Sequence, residues 1–290
     1  MLTPGYLAQH YRGQKGGRDP AFIDIAQDHA LKIVDDVGVF QLGAVFKGGT
    51  AIRKFHAGSQ GRFSTDLDFS VEDPDVAKLI TDSLDGATLG GFKFSIDVVR
   101  PGRTAYIRIA NEALGAPPTV SAKIDLSPRP VWLSADHRTA KPLPIHRAYG
   151  FSIPTLPIMR TEEILSEKLA RYRRHQLARD LYDLAWFSTA RFDEPLVRRL
   201  TVLKVWHDVV RDRLGDGPFD PAVIIAERHA EDFEEDAIGV LTQPIDLMSW
   251  IAKVRTRYAF ITDLGKEEIG IARCSCGDAF QVEQMVRTLH

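Results

Sequence analysis

Cysteine is nearly missing from this chain: Cys274 and Cys276 are the two among 290 residues. Two thiols one residue apart build no disulfide framework, which favours a reducing cytoplasm. As C-S-C they also lack the partners a zinc site needs. Long apolar runs are missing as well. None approaches the roughly 20 residues of a membrane span, so no membrane partner is expected. The opening M-L-T-P-G-Y-L lacks the basic-then-apolar layout of a secretory signal. Nor is there an excess of either charge. The formal net charge is −2, so nucleic acid must be met by a local basic patch and not by the whole molecule's field. No repeat or low-complexity tract is present. The acidic run at 231–236, E-D-F-E-E-D, reads as a solvated face.

What is present is ordinary globular composition, 44% hydrophobic and 26% charged. The length suits one large or two modest domains. Residues 1–18, with four glycines, read as an irregular leader. Asp19-Pro20 marks a helix start, and Phe22, Ala26, Ala30, Ile33 and Val37 at helical spacing predict a helix over 20–37 ended by Gly38. A short strand at 43–47 leads into Gly48-Gly49 and a second helix from Thr50 to Phe55. A strand at 65–71 follows, then a helix over 74–85 opened by Asp73-Pro74. Strands are expected at 92–99, 104–110 and 119–126. Phe92, Phe94, Ile96 and Val98 face inward on the first of these. Val120, Ala122, Ile124 and Leu126 face inward on the last, turning Lys123 and Asp125 the other way. Prolines crowd Ser127 to Pro157 and argue for a linker. Beyond it, helices are expected at 161–175, 177–190, 194–214, 244–263 and 276–289, with one more started by Asp220-Pro221. The plan is an α/β half, 1–150, and a mostly helical half, 151–290.

The chemistry concentrates in F-K-G-G-T-A-I-R-K-F, Phe46 to Phe55, and R-F-S-T-D-L-D-F-S-V, Arg62 to Val71. Asp66 and Asp68 lie two apart, so on a strand they project from one face while Leu67 and Phe69 pack on the other. Two carboxylates side by side repel unless a positive charge sits with them. With no histidine or cysteine close in sequence, a hard divalent ion such as Mg²⁺ (or Mn²⁺) fits best. Gly48-Gly49 before a helix lets backbone N–H groups approach an anion. Phosphate with a divalent cation is nucleotide chemistry. The bland alternative, two carboxylates on an edge strand, is outweighed by the G-G-T motif upstream.

The order G-G-T, D-x-D, then the later strand I-D-L resembles the nucleotidyltransferase fold of the DNA polymerase β superfamily. The set F-K-G-G-T-A-I, R-F-S-T-D-L-D-F-S, K-I-D-L, E-K-L-A-R-Y-R-R and A-R-D-L-Y-D-L resembles the AbiEii family, the toxin halves of type IV toxin–antitoxin systems, over about residues 20 to 190. The resemblance implies a small mixed sheet flanked by helices, followed by a helical domain that closes the active-site cleft. It implies NTP-dependent nucleotide transfer, in the MenT members onto the 3′ acceptor end of tRNA, and opposition by a cognate antitoxin encoded nearby. Carried over by motif, Gly48, Gly49 and Thr50 lie at the NTP phosphates, with Ser64 beside the metal pair. Asp66 and Asp68 are metal ligands, Asp125 is the third carboxylate, Lys168 contacts the triphosphate, and Asp180 is the acid of R-D-x-x-D.

Several alternatives stay open at this level. Asp97, in S-I-D-V, competes with Asp125 as third carboxylate. Lys168, Arg171 and His175 form a basic stripe that is either a phosphate clamp or a solvated face balanced by Glu162, Glu163 and Glu167. Arg173 and Arg174 are equally divided between those readings. Asp180 and Asp183 share a helix face: one pairs with Arg179 or a neighbouring arginine to hold the helices together, or a carboxylate positions the attacking hydroxyl or orients Lys168. Ser64 and Thr65 either satisfy local backbone groups or, for Ser64, accept phosphate. Rival functions are nucleotide transfer onto a protein side chain and a non-catalytic NTP-binding module.

Overall fold

A computed structural model describes residues 2–13, 16–115, 120–234, 241 and 244–289. Position 119, where the last strand was expected to begin, and positions 235 and 236 of the acidic run lie outside them. The chain divides into two compact units. The first comprises chiefly Met1–Val131 and Ala135–Met159; the second takes Trp132–Ser134, Arg160–Ile238 and Ile245–His290.

The first unit is a mixed sheet with helices. Its strands are β1 Val45–Lys47, β2 Leu67–Ser70, β3 Thr88–Leu89, β4 Phe92–Arg100, β5 Thr104–Ala110, β6 Val120–Ser127, β7 Asp136–Arg138 and β8 Leu156–Ile158. They lie in the order β3-β4-β5-β6-β2-β1-β8-β7, with β2/β6 and β1/β8 parallel and the other pairs antiparallel. Alternation builds the core face. On β6, Val120, Ala122, Ile124 and Leu126 are buried, as are Ala105, Ile107 and Ile109 on β5. They join one apolar cluster with Phe22, Ile25 and Ala26 of α2 (Arg18–Asp36) and Val76 and Ile80 of α4 (Pro74–Leu84). Asp73 caps α4 as its Asp-Pro signal implies, accepting from the Asp75 N–H at 2.8 Å.

Several expectations need correcting. Residues 1–18 are not simply a leader. Thr3 accepts from the Tyr6 N–H, Pro4 takes the first helical position, and α1 runs Pro4–His10 with Leu7 buried. The next helix starts at Arg18, capped by Gly17 and not by Asp19. The proline-dense stretch contains β7 and β8, which extend the sheet beyond β1: Phe46 of β1 pairs with Ile158 of β8, and β7 follows at the edge. The first unit therefore extends to Met159, past the expected boundary at 150. On β4, Phe92 and Phe94 are buried but Val98 is 53% exposed.

The second unit is helical: α5 Thr161–Arg174, α6 Ala178–Phe187, α7 Glu194–Trp206, α8 Leu247–Arg257, α9 Lys266–Ile271 and α10 Ala279–Arg287. Leu200 and Leu203 of α7 are fully buried. Asp220-Pro221 opens one short turn, Pro221–Val223, and not a full helix.

Candidate active site

The turn after β1 carries the glycines. Gly48 adopts φ +79°, a conformation glycine takes without strain. A Cβ there would stand 1.9 Å from Asp68 Oδ2, so the G-G-T turn and the D-x-D strand touch at a point where only glycine fits. At Gly49 a Cβ would meet Arg62 Nη2 at 2.6 Å and Ser64 Oγ at 2.7 Å. Both side chains converge on this turn. α3, Gly48–Ala51, begins here and continues in a wider-wound turn over Ile52–Ala57.

Strand register sets out the charges. Asp68 on β2 opposes Lys47 on β1 and Asp125 on β6, and Asp125 opposes Thr104 on β5. Directly paired residues share a sheet face, so Lys47, Asp68, Asp125 and Thr104 form one row across the face opposite the core. Asp66 lies just before β2. Asp97 is elsewhere: it opposes Tyr106, two strands from β6, and pairs with Arg108 at 2.5 Å.

Burial first, then the neighbouring Asp66 and Asp125, push the Asp68 carboxyl up to about 6, against the pull of Lys47 and Lys123. A carboxylate held so reluctantly in its charged form is short of positive charge. The donor set, oxygen only, fits a hard divalent ion. Among the described residues, however, no three of His, Cys, Asp and Glu stand gathered as a closed ligand cluster. Lys123 meanwhile takes part of Asp125, Nζ to Oδ2 at 3.3 Å.

Thr50 is fully buried. Its hydroxyl donates to the Asp66 carbonyl at 2.5 Å and lies 3.4 Å from that of Ser64. It holds the loop that delivers the acids. Gln27 of α2 supports the same loop, its Nε2 donating to the Ser64 carbonyl at 3.1 Å.

The family model for the nucleotidyl transferase AbiEii toxin of type IV toxin–antitoxin systems matches residues 36–263. The chain belongs to the AbiEii family. It is a nucleotidyltransferase, and the non-catalytic module among its rivals is set aside. A solved structure of MenT4, a nucleotidyltransferase toxin from Mycobacterium tuberculosis H37Rv, is 44% identical over 100% of both chains, with a TM-score of 0.95. JHP933 from Helicobacter pylori is similar at 16% identity over 90% of this chain and 97% of its own, with a TM-score of 0.46. A putative nucleotidyltransferase from H. pylori stands at 18%, 81%, 94% and 0.47 in the same measures. No curated protein matches by sequence.

In this AbiEii chain the helical-unit motifs form a buried ionic knot. Lys168 Nζ on α5 donates to Asp183 Oδ2 at 2.7 Å and to Asp180 Oδ1 at 3.2 Å. Arg171 Nε donates to Asp180 Oδ2 at 2.6 Å, and its Nη2 also reaches that carboxylate. Asp180 has no exposed surface. Burial alone would raise its pKa, but Lys168 and Arg171 outweigh that and hold it well below the usual carboxylate range. Lys168 is thus not on an open solvated face, while Arg171 is partly exposed and His175 exposed. The stripe's supposed counter-charge Glu163 is itself buried, accepting from the Trp132 and Leu133 N–H groups and pairing with Lys204 at 2.7 Å. Arg173 donates to the Asp216 carbonyl at 2.9 Å, and Arg174 pairs with Asp208 at 3.2 Å. Lys47, Arg62 and Lys123 were missed as site residues. Lys47 directly precedes the glycines, and that adjacency was the available signal.

Proposed function

We propose that this toxin transfers an NMP from an NTP to the 3′ end of tRNA and so blocks translation, in a metal-dependent reaction opposed by a cognate antitoxin encoded nearby. The row of Lys47, Asp68 and Asp125 against Gly48 is the observation that supports this reading most. The AbiEii membership supplies the reaction type, and the acceptor follows the MenT members that the sequence resembles. Among the described residues no helix is long and apolar enough to cross a membrane.

In the transfer, the acceptor's 3′ oxygen forms a bond to the α-phosphorus. The bond to the bridging oxygen breaks, pyrophosphate leaves, and the hydroxyl proton is lost. A Mg²⁺ or Mn²⁺ ion held by Asp68 and Asp125 with Asp66 would neutralise charge at phosphorus and ease that proton's loss. The chain's own contribution is positioning and electrostatics. Gly48 and Gly49 leave room for phosphate oxygens at the backbone. Lys47 and Arg62 bring positive charge to the turn, with Ser64 beside them, while Thr50 fixes the loop that aims Asp66 and Asp68. The family motif assigns Lys168 to the triphosphate, and Asp180 and Asp183 hold its ammonium in one place.

The deciding assay incubates the protein with each labelled NTP in turn, with total tRNA or with lysate protein as acceptor. Label on tRNA with wild type and none with Asp66→Ala is expected. Label confined to protein would overturn the RNA acceptor in favour of a side-chain acceptor.

A further inference from the structure

The face that carries the acidic row continues beyond Asp125. Tyr106 on β5 opposes Lys123 on β6, two residue pairs along from Thr104 and Asp125 and so the next pair on the same face. It therefore stands on the acidic side of the sheet, on the diagonal from Asp125, about 7–8 Å away. Its ring is 45% exposed, while Ala105, Ile107 and Ile109 fill the core from the other face. A tyrosine in that place does little for packing. Around it the β4–β5 hairpin is basic. Arg100, Arg103 and Arg108 are exposed; over 97–108 the one acidic residue is Asp97, which stands opposite Tyr106 and is paired with Arg108.

An exposed aromatic ring among arginines is a platform for an unpaired nucleotide, with stacking on the ring and phosphates on the guanidinium groups. The register decides which reactant it serves. Gly48, Gly49 and Lys47 lie on the β1 side of Asp68; Asp125, Lys123 and Tyr106 lie on the other. Attacking and leaving oxygens at phosphorus stand roughly in line. With the triphosphate at the glycines, the leaving pyrophosphate points to β1 and the acceptor arrives over β6 and β5. We propose that Tyr106 stacks on a base at the single-stranded 3′ end of the acceptor RNA, with Arg103 on its phosphates. This deepens the proposed RNA transfer and rests on it.

The test is steady-state transfer on total tRNA, with the KM for RNA and the KM for NTP measured separately for wild type, Tyr106→Ala and Tyr106→Phe. The Ala variant should raise the KM for RNA roughly ten- to a hundred-fold, the usual worth of one stacked base. Its KM for NTP and its kcat at saturating RNA should hold. The Phe variant keeps the ring and should behave as wild type. Arg103→Gln should reduce the salt dependence of RNA binding by about one phosphate contact. An unchanged KM for RNA in Tyr106→Ala, with wild type still labelling RNA, would overturn this inference alone. A rise in the KM for NTP instead would assign the ring to the nucleotide and overturn it too. Wild type that labels no RNA would overturn the transfer reading together with it.

Discussion

Replacing Asp68 with asparagine should stabilise the metal-free protein while abolishing transfer. The carboxyl is raised from an ordinary value of 3.8 to about 6 by burial and by Asp66 and Asp125. A folded-state pKa above the unfolded one means that ionisation disfavours the fold. The penalty is absent at low pH, grows between about pH 4 and pH 6, and is complete above that. A shift of about two units corresponds to roughly 3 kcal/mol. Asp68 keeps some contact with solvent, and screening reduces the figure, so about 1–3 kcal/mol is expected. For a chain of this size that is a Tm rise of roughly 3–9 °C. The assay is thermal unfolding of wild type and Asp68→Asn in EDTA from pH 4 to pH 8. The curves should nearly meet at pH 4 and separate above pH 6. Adding Mg²⁺ should raise the Tm of wild type and leave that of the variant unchanged. A variant no more stable than wild type at pH 7.5 in EDTA would refute the claim that Asp68 is short of positive charge.

Other perturbations follow from the same geometry. Gly48→Ala forces a left-handed φ on alanine and drives its Cβ into Asp68; transfer should fall at least a hundred-fold, with a stability loss of about 1–3 kcal/mol measured by denaturant unfolding. Asp180→Ala removes the carboxylate that Lys168 and Arg171 share, leaving Asp183 on Lys168, and should cost about 3 kcal/mol at pH 7. Because the Asp180 pKa is depressed in the fold, that stability is present above about pH 4 and is lost as pH falls below it, so wild type and variant should converge in acid. Thr50→Val removes the donor to the Asp66 carbonyl and should cost about 1–3 kcal/mol together with most activity, while Thr50→Ser retains both.

The local parts of this site were legible in the sequence because their signals are local. G-G-T and D-x-D are short, and period-two alternation by itself turns Lys123 and Asp125 away from the core. What depended on distant pairing was not. Asp97 and Asp125 are both flanked by apolar residues, and only the parallel pairing of β2 with β6 puts Asp125 opposite Asp68. β8 is three residues around a proline, and its place beside β1 comes from a partner more than a hundred positions away. Val98 continues an apolar alternation but sits where the hairpin register shifts between Val98 and Arg100, with its side chain exposed. Helical spacing past Asp220-Pro221 was too weak to extend one turn into a helix.

The least legible feature lies inside α2, whose apolar stripe hid four buried polar residues, Asp24, Gln27, Asp28 and His29. Lys54 donates to Asp24 Oδ1 at 3.1 Å and pairs with Asp28 Oδ1 at 2.7 Å. Arg53 reaches Asp24 at 3.5 Å, and His10 meets it at 2.7 Å. Tyr149 donates to Asp28 Oδ2 at 2.7 Å. Burial alone would raise the Asp24 pKa, yet Lys54, Arg53 and His10 together hold it well below the ordinary range. Arg53 and Lys54 lie on the turn that follows Gly48-Gly49, so the same aspartates that dock α1 and α2 also hold the helical segment behind the glycine turn. Gln27, between them in sequence, fixes the loop leading to Asp66. One helix thereby anchors both halves of the site, the glycine turn and the acidic strand. A buried ion pair adds little net stability over an apolar one, but its loss on one side is costly. Such a network confers a fixed position more than stability, which is what a site needs when its catalysis consists of placing a phosphorus atom between two oxygens.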